Sequence, residues 1–288
     1  MVASSKHPFN YAIAIPASFV SDVPHLREKT FRIGLIGRAA ATFRVNDIAI
    51  YLDIPDTDQK ADTKLVHSIL SYMETPQYLR RRLFRLVPEL QYVGTLPPLR
   101  TAHHPIANRT TDLKLDEFRE GVIVSTSNEG SFIDIGVENP ALLPSIKLKP
   151  NSRVTVKITE LGKQPKAVLA DSKAIRSYWG YGVSVSNTPI GQLLKTKQFD
   201  LIIATSRKGK PITTIMDDLM QRWRGSRKTL IVFGAPSQGL YEILDREHAK
   251  LEDVADFVVN AIPGQATETV RTEEAVYATL SILNTLDR

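Results

Sequence analysis

The chain has 288 residues, 42% of them hydrophobic and 24% charged, with no cysteine and a formal net charge of +6. That length allows one to three globular domains, and the composition excludes a disordered or fibrous chain. No apolar run reaches the roughly 18 residues of a membrane span, and without cysteine there is no disulfide, thiolate metal site or cysteine nucleophile. Residues 1–8 lack the apolar core of a signal peptide, so the cytoplasm is the expected compartment.

The positive charge is local. Arg80, Arg81 and Arg82 form one cluster, Arg207, Lys208 and Lys210 a second, and Arg222, Arg224, Arg227 and Lys228 a third, while the C-terminal segment is acidic. Concentrated cationic charge suits a polyphosphate partner, because neutralised phosphates release their counterions. Nucleic acid is the expected partner; a solvated basic face is the plainer alternative.

Residues 11–15 read as a buried first strand and residues 24–45 as a helix with Ile33, Ile36, Ala40 and Phe43 on one face. Residues 48–52 read as a second strand, and a helical crossover between two strands makes them parallel. Residues 61–86 read as one long helix carrying Leu65, Ile69 and Leu70 and ending in the first arginine cluster. The pattern then turns to β, with short strands at 121–125, 131–135, 153–158 and 166–170 separated by turn residues. Four or five such strands suit a small barrel, of which the OB-fold is the usual oligonucleotide-binding form. Next come a strand at 199–204, a loop at 205–209, a helix at 212–223 and a strand at 229–233. An apolar run at 257–262 breaks at Pro263-Gly264, and a helix starts near Glu273, burying Val276, Leu280 and Leu283. Thr267, Thr269 and Thr272 are its candidate caps. The reading is an α/β domain of residues 1–92 and 173–288 with a β module, residues 93–172, inserted.

Three loops follow strands in the last third of the chain, at Thr205 and Ser206, at residues 234–239, and at residues 262–270. Loops at the carboxyl ends of strands present unpaired backbone donors and acceptors to ligands. No G-x-G-x-x-G follows the first strand and no G-x-x-x-x-G-K-[ST] occurs, which disfavours a phosphate-loop enzyme. The adjacent His103 and His104 lack helical metal spacing, so no metal is expected. Ser125 and Ser127 have no histidine–aspartate partners for a hydrolase triad. Trp223 between arginines is either a base-stacking platform or a core residue.

Three stretches carry a resemblance. Residues 32–45, RIGLIGRAAATFRV, are similar to the first motif of SpoU-type enzymes; residues 232–240, VFGAPSQGL, to the second; and residues 262–275, from Ile-Pro through a polar loop into a helix, to the third. In this order the chain resembles the SPOUT superfamily of RNA methyltransferases, and within it the archaeal and eukaryotic branch with an OB-like module inserted in the knot domain. It departs at Arg32, Arg44 and Arg271, where SpoU enzymes carry Asn, Gly and Asn. The resemblance implies an α/β-knot domain, tied in a trefoil, with a mostly parallel sheet, and a homodimer. It implies S-adenosylmethionine (S-adenosyl-L-methionine) held by Thr205 and Ser206, by Phe233, Gly234, Ala235, Gly239 and Leu240, and by Ile262, Pro263, Gly264, Gln265, Thr267, Thr269 and Val270. Arg38 would orient a phosphate or assist at the acceptor, and Arg32 with the three basic clusters would hold RNA. The implied activity is methylation of ribosomal RNA, most narrowly at N3 of a uridine. A non-catalytic RNA-binding or ribosome-assembly factor, keeping the knot as a dimer scaffold, is the alternative.

Overall fold

A computed structural model describes residues 10–171, 173–196 and 198–287. They form two compact units. Residues 10–73, Pro88–Pro97 and 181–287 make an α/β unit; Glu74–Val87 and Pro98–Gly180 make a barrel unit. The barrel unit is thus wider than the inserted segment read from the sequence. It takes in residues 74–87 and 173–180, whereas residues 93–97 pack with the α/β unit.

The α/β unit opens with β1 (Asn10–Pro16), α1 (Leu26–Thr42), β2 (Asp47–Tyr51) and α2 (Lys60–Glu74). In β1 consecutive residues from Tyr11 to Ile15 are all buried, the signature of a parallel strand covered on both faces. The helix expected to run from 61 to 86 stops at Glu74 and restarts as α3 (Gln77–Leu83). Pro76 has no N–H to give and pushes Thr75 out of the helical region, which overrides the continuous polar–apolar period.

The barrel unit contains β3 (Phe118–Thr126), β4 (Gly130–Asp134), β5 (Ala141–Pro144), β6 (Arg153–Glu160) and β7 (Lys166–Leu169). They close in the order β3-β4-β5-β7-β6. All neighbours are antiparallel except β5 and β7, which run parallel at Leu142 and Lys166. Ile123, Ile133, Ile135, Leu143, Val156 and Ile158 fill the interior. Tyr78 of α3 lies over Gly136, where a Cβ would stand 2.5 Å from the ring, and Gly136 holds φ 82, a conformation glycine adopts freely. The Tyr78 hydroxyl donates to the Glu120 carbonyl at 2.9 Å.

The chain then adds β8 (Gly182–Ser186), α4 (Ile190–Lys195), β9 (Leu201–Pro211), α5 (Met216–Gly225), β10 (Lys228–Val232), α6 (Leu240–Arg246), α7 (Leu251–Val254), β11 (Phe257–Asn260) and α8 (Thr272–Asn284). The six-stranded sheet has the order β11-β9-β10-β1-β2-β8, and every pair in it is parallel. Trp223 is buried and its ring packs 5.6 Å from that of Tyr11, so it is a core residue rather than a stacking platform. Among the described residues no helix is long and apolar enough to cross a membrane.

Candidate functional site

A cleft of about 490 Å³ opens beside the middle of β9 and at the carboxyl ends of β10 and β11, a size within the range of small-molecule sites. Its first wall comes from an irregularity in β9. Ala204 pairs with Val258 of β11, and the next pair is Lys210 with Val259, so residues 205–209 bow out of the ladder. The loop expected at 205–209 is therefore a bulge within one long strand. It is pinned at its start and its middle: the Thr205 hydroxyl donates to the Val232 carbonyl (3.0 Å) and Asn260 Nδ2 donates to the Arg207 carbonyl (3.0 Å).

The second wall is the turn between β10 and α6, where the Ala235 N–H donates to the Gln238 carbonyl at 2.9 Å. The third is the loop leaving β11. Ile262 N–H donates to Asn260 Oδ1 (3.0 Å), Gln265 Nε2 donates to the Thr267 carbonyl (2.9 Å), and Arg207 Nη1 reaches the Glu268 carbonyl (3.1 Å). The fourth is α8, which presents Thr272, Ala275 and Thr279 to the cleft. The Thr272 hydroxyl donates to the Gly234 carbonyl at 2.9 Å, tying the helix start to the second wall. None of the three candidate threonines caps α8; the Glu274 carboxylate accepts from the Arg271 N–H at 2.9 Å instead. Thr279 is buried and its Oγ1 has no hydrogen-bond partner. Lys208 Nζ and Glu242 Oε1 pair at 2.7 Å on the cleft lining. The hydrogen bond from Lys208 holds the Glu242 carboxyl below its ordinary pKa, so the pair is ionic at neutral pH.

Residues 10–283 match the family described as "Putative RNA methyltransferase". The chain belongs to this RNA methyltransferase family. An uncharacterized protein of Haloarcula marismortui is 30% identical to it over 94% of this chain and 98% of its own. The 28S rRNA (uridine-N(3))-methyltransferase of Homo sapiens is 28% identical over 96% of this chain and 78% of its own. The Drosophila melanogaster protein of the same name is 30% identical over 96% of this chain, which spans 62% of the relative's length.

In this RNA methyltransferase, Thr205, Ser206, Gly234, Ala235, Gly239, Ile262, Gln265, Thr269 and Val270 all line the cleft. Phe233 and Leu240 do not. Their side chains are fully buried, Leu240 in the core under α6, while the Phe233 carbonyl accepts from the Tyr51 hydroxyl at 2.6 Å. They support the turn from beneath. Pro263, Gly264 and Thr267 shape the third wall without lining it; Gly264 turns the chain at φ 77.

The expected RNA contacts divide. Arg207 and Lys208 belong to the cleft wall. Arg32 is not open to RNA: it is buried, bonded to both carboxylate oxygens of Asp22 (2.9 and 3.0 Å) and 3.5 Å from Glu273. Burial raises the Glu273 pKa, which Arg32 partly opposes. Arg38 is half-buried on α1 outside the cleft lining, and its charge acts on Tyr277 of α8. Arg80 Nε donates to the Thr75 carbonyl at 2.8 Å, whereas Arg81 and Arg82 are exposed, Arg82 standing 3.5 Å from Asp134. Arg222 pairs with Asp256 at 2.7 Å. Lys210, Arg224, Arg227 and Lys228 are exposed, and the turn carrying the last two is held by Asp200 through their backbone N–H groups. His103 and His104 both place Nε2 on the Glu74 carbonyl.

Sequence reasoning passed over Thr272, Ala275 and Thr279 as lining residues. Their signal is a stripe of small residues at i, i+3 and i+7, running directly beside the apolar stripe of Val276, Leu280 and Leu283.

Proposed function

We propose that this enzyme transfers methyl groups from S-adenosylmethionine to ribosomal RNA, at N3 of a uridine. The target follows the names of the human and fly relatives, which align over nearly the whole chain. The cleft beside the middle of β9 and the ends of β10 and β11 carries the cofactor reading. Ala235, Ile262 and Val270 offer an apolar slot edged by backbone polar groups, which suits an adenine. Lys208 and Glu242 offer opposite charges to a zwitterionic amino-acid end. The partnerless Thr279 hydroxyl suits a polar edge of the ligand. When bound, S-adenosylmethionine supplies an electrophilic methyl on a sulfonium. The residues of the three loops and α8 would hold the donor, and positioning of that kind lowers the barrier to methyl transfer substantially.

Arg38 on α1 is assigned to orienting the acceptor. The trefoil-knotted C-terminal segment belongs to the same reading and follows the resemblance of residues 232–240 and 262–275; the ties of α8 to the Gly234 carbonyl and of Arg207 to the Glu268 carbonyl hold that segment against the cleft. A closed barrel with one parallel closure, between β5 and β7, supports an OB-like RNA-binding module. Phe31, an exposed aromatic on α1, supports a homodimer that covers it.

The test is incubation with methyl-labelled S-adenosylmethionine and ribosomal RNA from a strain lacking this protein, followed by nucleoside analysis. Label in 3-methyluridine is expected. RNA binding with no donor binding at millimolar concentration would instead favour the assembly-factor alternative.

Thr279→Val removes the partnerless hydroxyl at nearly constant shape. It is expected to stabilise the ligand-free protein by about 1 kcal/mol, because a buried hydroxyl without a partner is costly. It is also expected to weaken S-adenosylmethionine binding severalfold. Differential scanning calorimetry and titration calorimetry read the two effects, whose opposite signs separate ligand contact from packing.

A further inference from the structure

The barrel unit has a cleft of its own, about 290 Å³, which shares no residue with the donor cleft. Tyr78, Pro105 and Ile106 form its apolar side; Gln77, Arg100, His104 and Asn108 are polar groups on its lining. His104 is the informative one. Its Nε2 lies 2.6 Å from the Glu74 carbonyl, and a carbonyl only accepts, so the ring proton is on Nε2. Burial first, and the neighbouring His103 second, push its pKa down to about 3, so the ring is neutral at physiological pH. Nδ1 is then a bare lone pair. It is buried and has no hydrogen-bond partner, a state that costs free energy unless a donor meets it.

The other walls suit a flat ring beside a phosphate. Tyr78 is fixed by its seat on Gly136 and its bond to the Glu120 carbonyl. Ile106 is a large apolar side chain left 68% exposed. Arg100 is exposed and held at φ 54, a left-handed conformation that favours glycine and that other residues keep only where the surroundings enforce it. On α3, exposed Arg81 follows Gln77, a lining residue, by one helical turn.

We propose that this cleft takes a single unstacked base of the RNA substrate, its N–H edge donating to His104 Nδ1, its face on Tyr78 and its phosphate near Arg100 and Arg81. The proposal rests on the RNA reading above. All four RNA bases carry an N–H on their pairing edge (adenine N6, guanine N1 and N2, cytosine N4, uracil N3), and stacking on an aromatic face is tolerant of sequence.

His104→Gln keeps an N–H for the Glu74 carbonyl and moves the remaining acceptor, Oε1, off the Nδ1 position. Fluorescence anisotropy with a labelled single-stranded RNA and an abasic RNA of equal length tests the assignment. His104→Gln is expected to weaken the base-bearing RNA about fivefold and leave the abasic RNA unchanged. Arg100→Gln is expected to weaken both and to lower the salt slope by about one. Wild-type affinity for both RNAs in a His104→Gln protein of unchanged melting temperature would overturn the subsite, as would an equal loss on both. Should His104→Gln melt early, the exposed positions decide: unchanged affinity in both Arg100→Gln and Asn108→Ala overturns it. A wild-type protein that binds neither RNA removes the RNA reading itself, and the subsite with it.

Discussion

Arg153→Ala is expected to lower the melting temperature of the barrel unit by roughly 15 °C, the consequence of about 3–5 kcal/mol lost on breaking a buried ionic centre. Arg153 donates from Nη1 and Nη2 to the two Glu74 oxygens (2.6 and 3.0 Å) and from Nε to Glu120 (2.7 Å). Both carboxylates are buried. Glu120 also accepts from Thr155 and from Trp179 Nε1 (2.6 Å). With the arginine gone, two carboxylates share one site without that cation, and Glu74 retains His103, 3.2 Å away.

The pH dependence of that loss identifies its cause. Burial alone raises the Glu74 pKa, but hydrogen bonds from His103 and Arg153 outweigh it and bring the group down from 4.5 to about 2. A folded-state pKa below the unfolded one stabilises fully above the unfolded value and loses that contribution as pH falls through the folded value. The contribution is of order 3 kcal/mol, present above pH 4.5 and lost on the way down to about 2. The gap between wild type and Arg153→Ala should therefore be widest near neutrality and narrow below pH 4.5. Calorimetric scans across that range check it; a gap that does not change with pH means that lost packing, not charge, accounts for the destabilisation.

Elements with a strong hydrophobic period were legible without coordinates. Five buried residues in a row marked β1, and a 3.6-residue stripe marked α1. Elements held by backbone pairing rather than by side chains were not. β8 alternates valine with serine at the sheet edge, next to β2 alone. The far half of β9 reads Arg-Lys-Gly-Lys-Pro, a loop by composition, yet Lys210 and Pro211 rejoin β11. The candidate cleft was largely legible as a meeting of three loops because glycine and proline punctuate its backbone-built walls. The fate of Arg32 was not, because nothing local shows that Asp22 and Glu273 converge on it. Phe233 and Leu240 flank the second turn in sequence, but strand and helix geometry send their side chains into the core.

Gly209→Ala is expected to weaken S-adenosylmethionine binding by tenfold or more, although residue 209 does not line the cleft. Gly209 is where the β9 bulge returns to β11. A Cβ there would stand 2.7 Å from the Val259 carbonyl carbon and 2.8 Å from the carbon and oxygen of Val258. These are backbone atoms of the neighbouring strand and cannot rotate aside. Relief requires β9 and β11 to part, at a cost of about 1–3 kcal/mol typical of overpacking. That movement carries the Asn260–Arg207 and Arg207–Glu268 ties with it, so the first and third walls shift together. Since about 1.4 kcal/mol is a factor of ten in affinity, modest wall displacement suffices for the expected loss. Gly225→Ala is the matched control, because nothing lies within 4 Å of its Cβ position. Titration calorimetry with S-adenosylmethionine on both variants decides: donor affinity in Gly209→Ala equal to that of Gly225→Ala would mean that the β9 bulge does not form the binding wall.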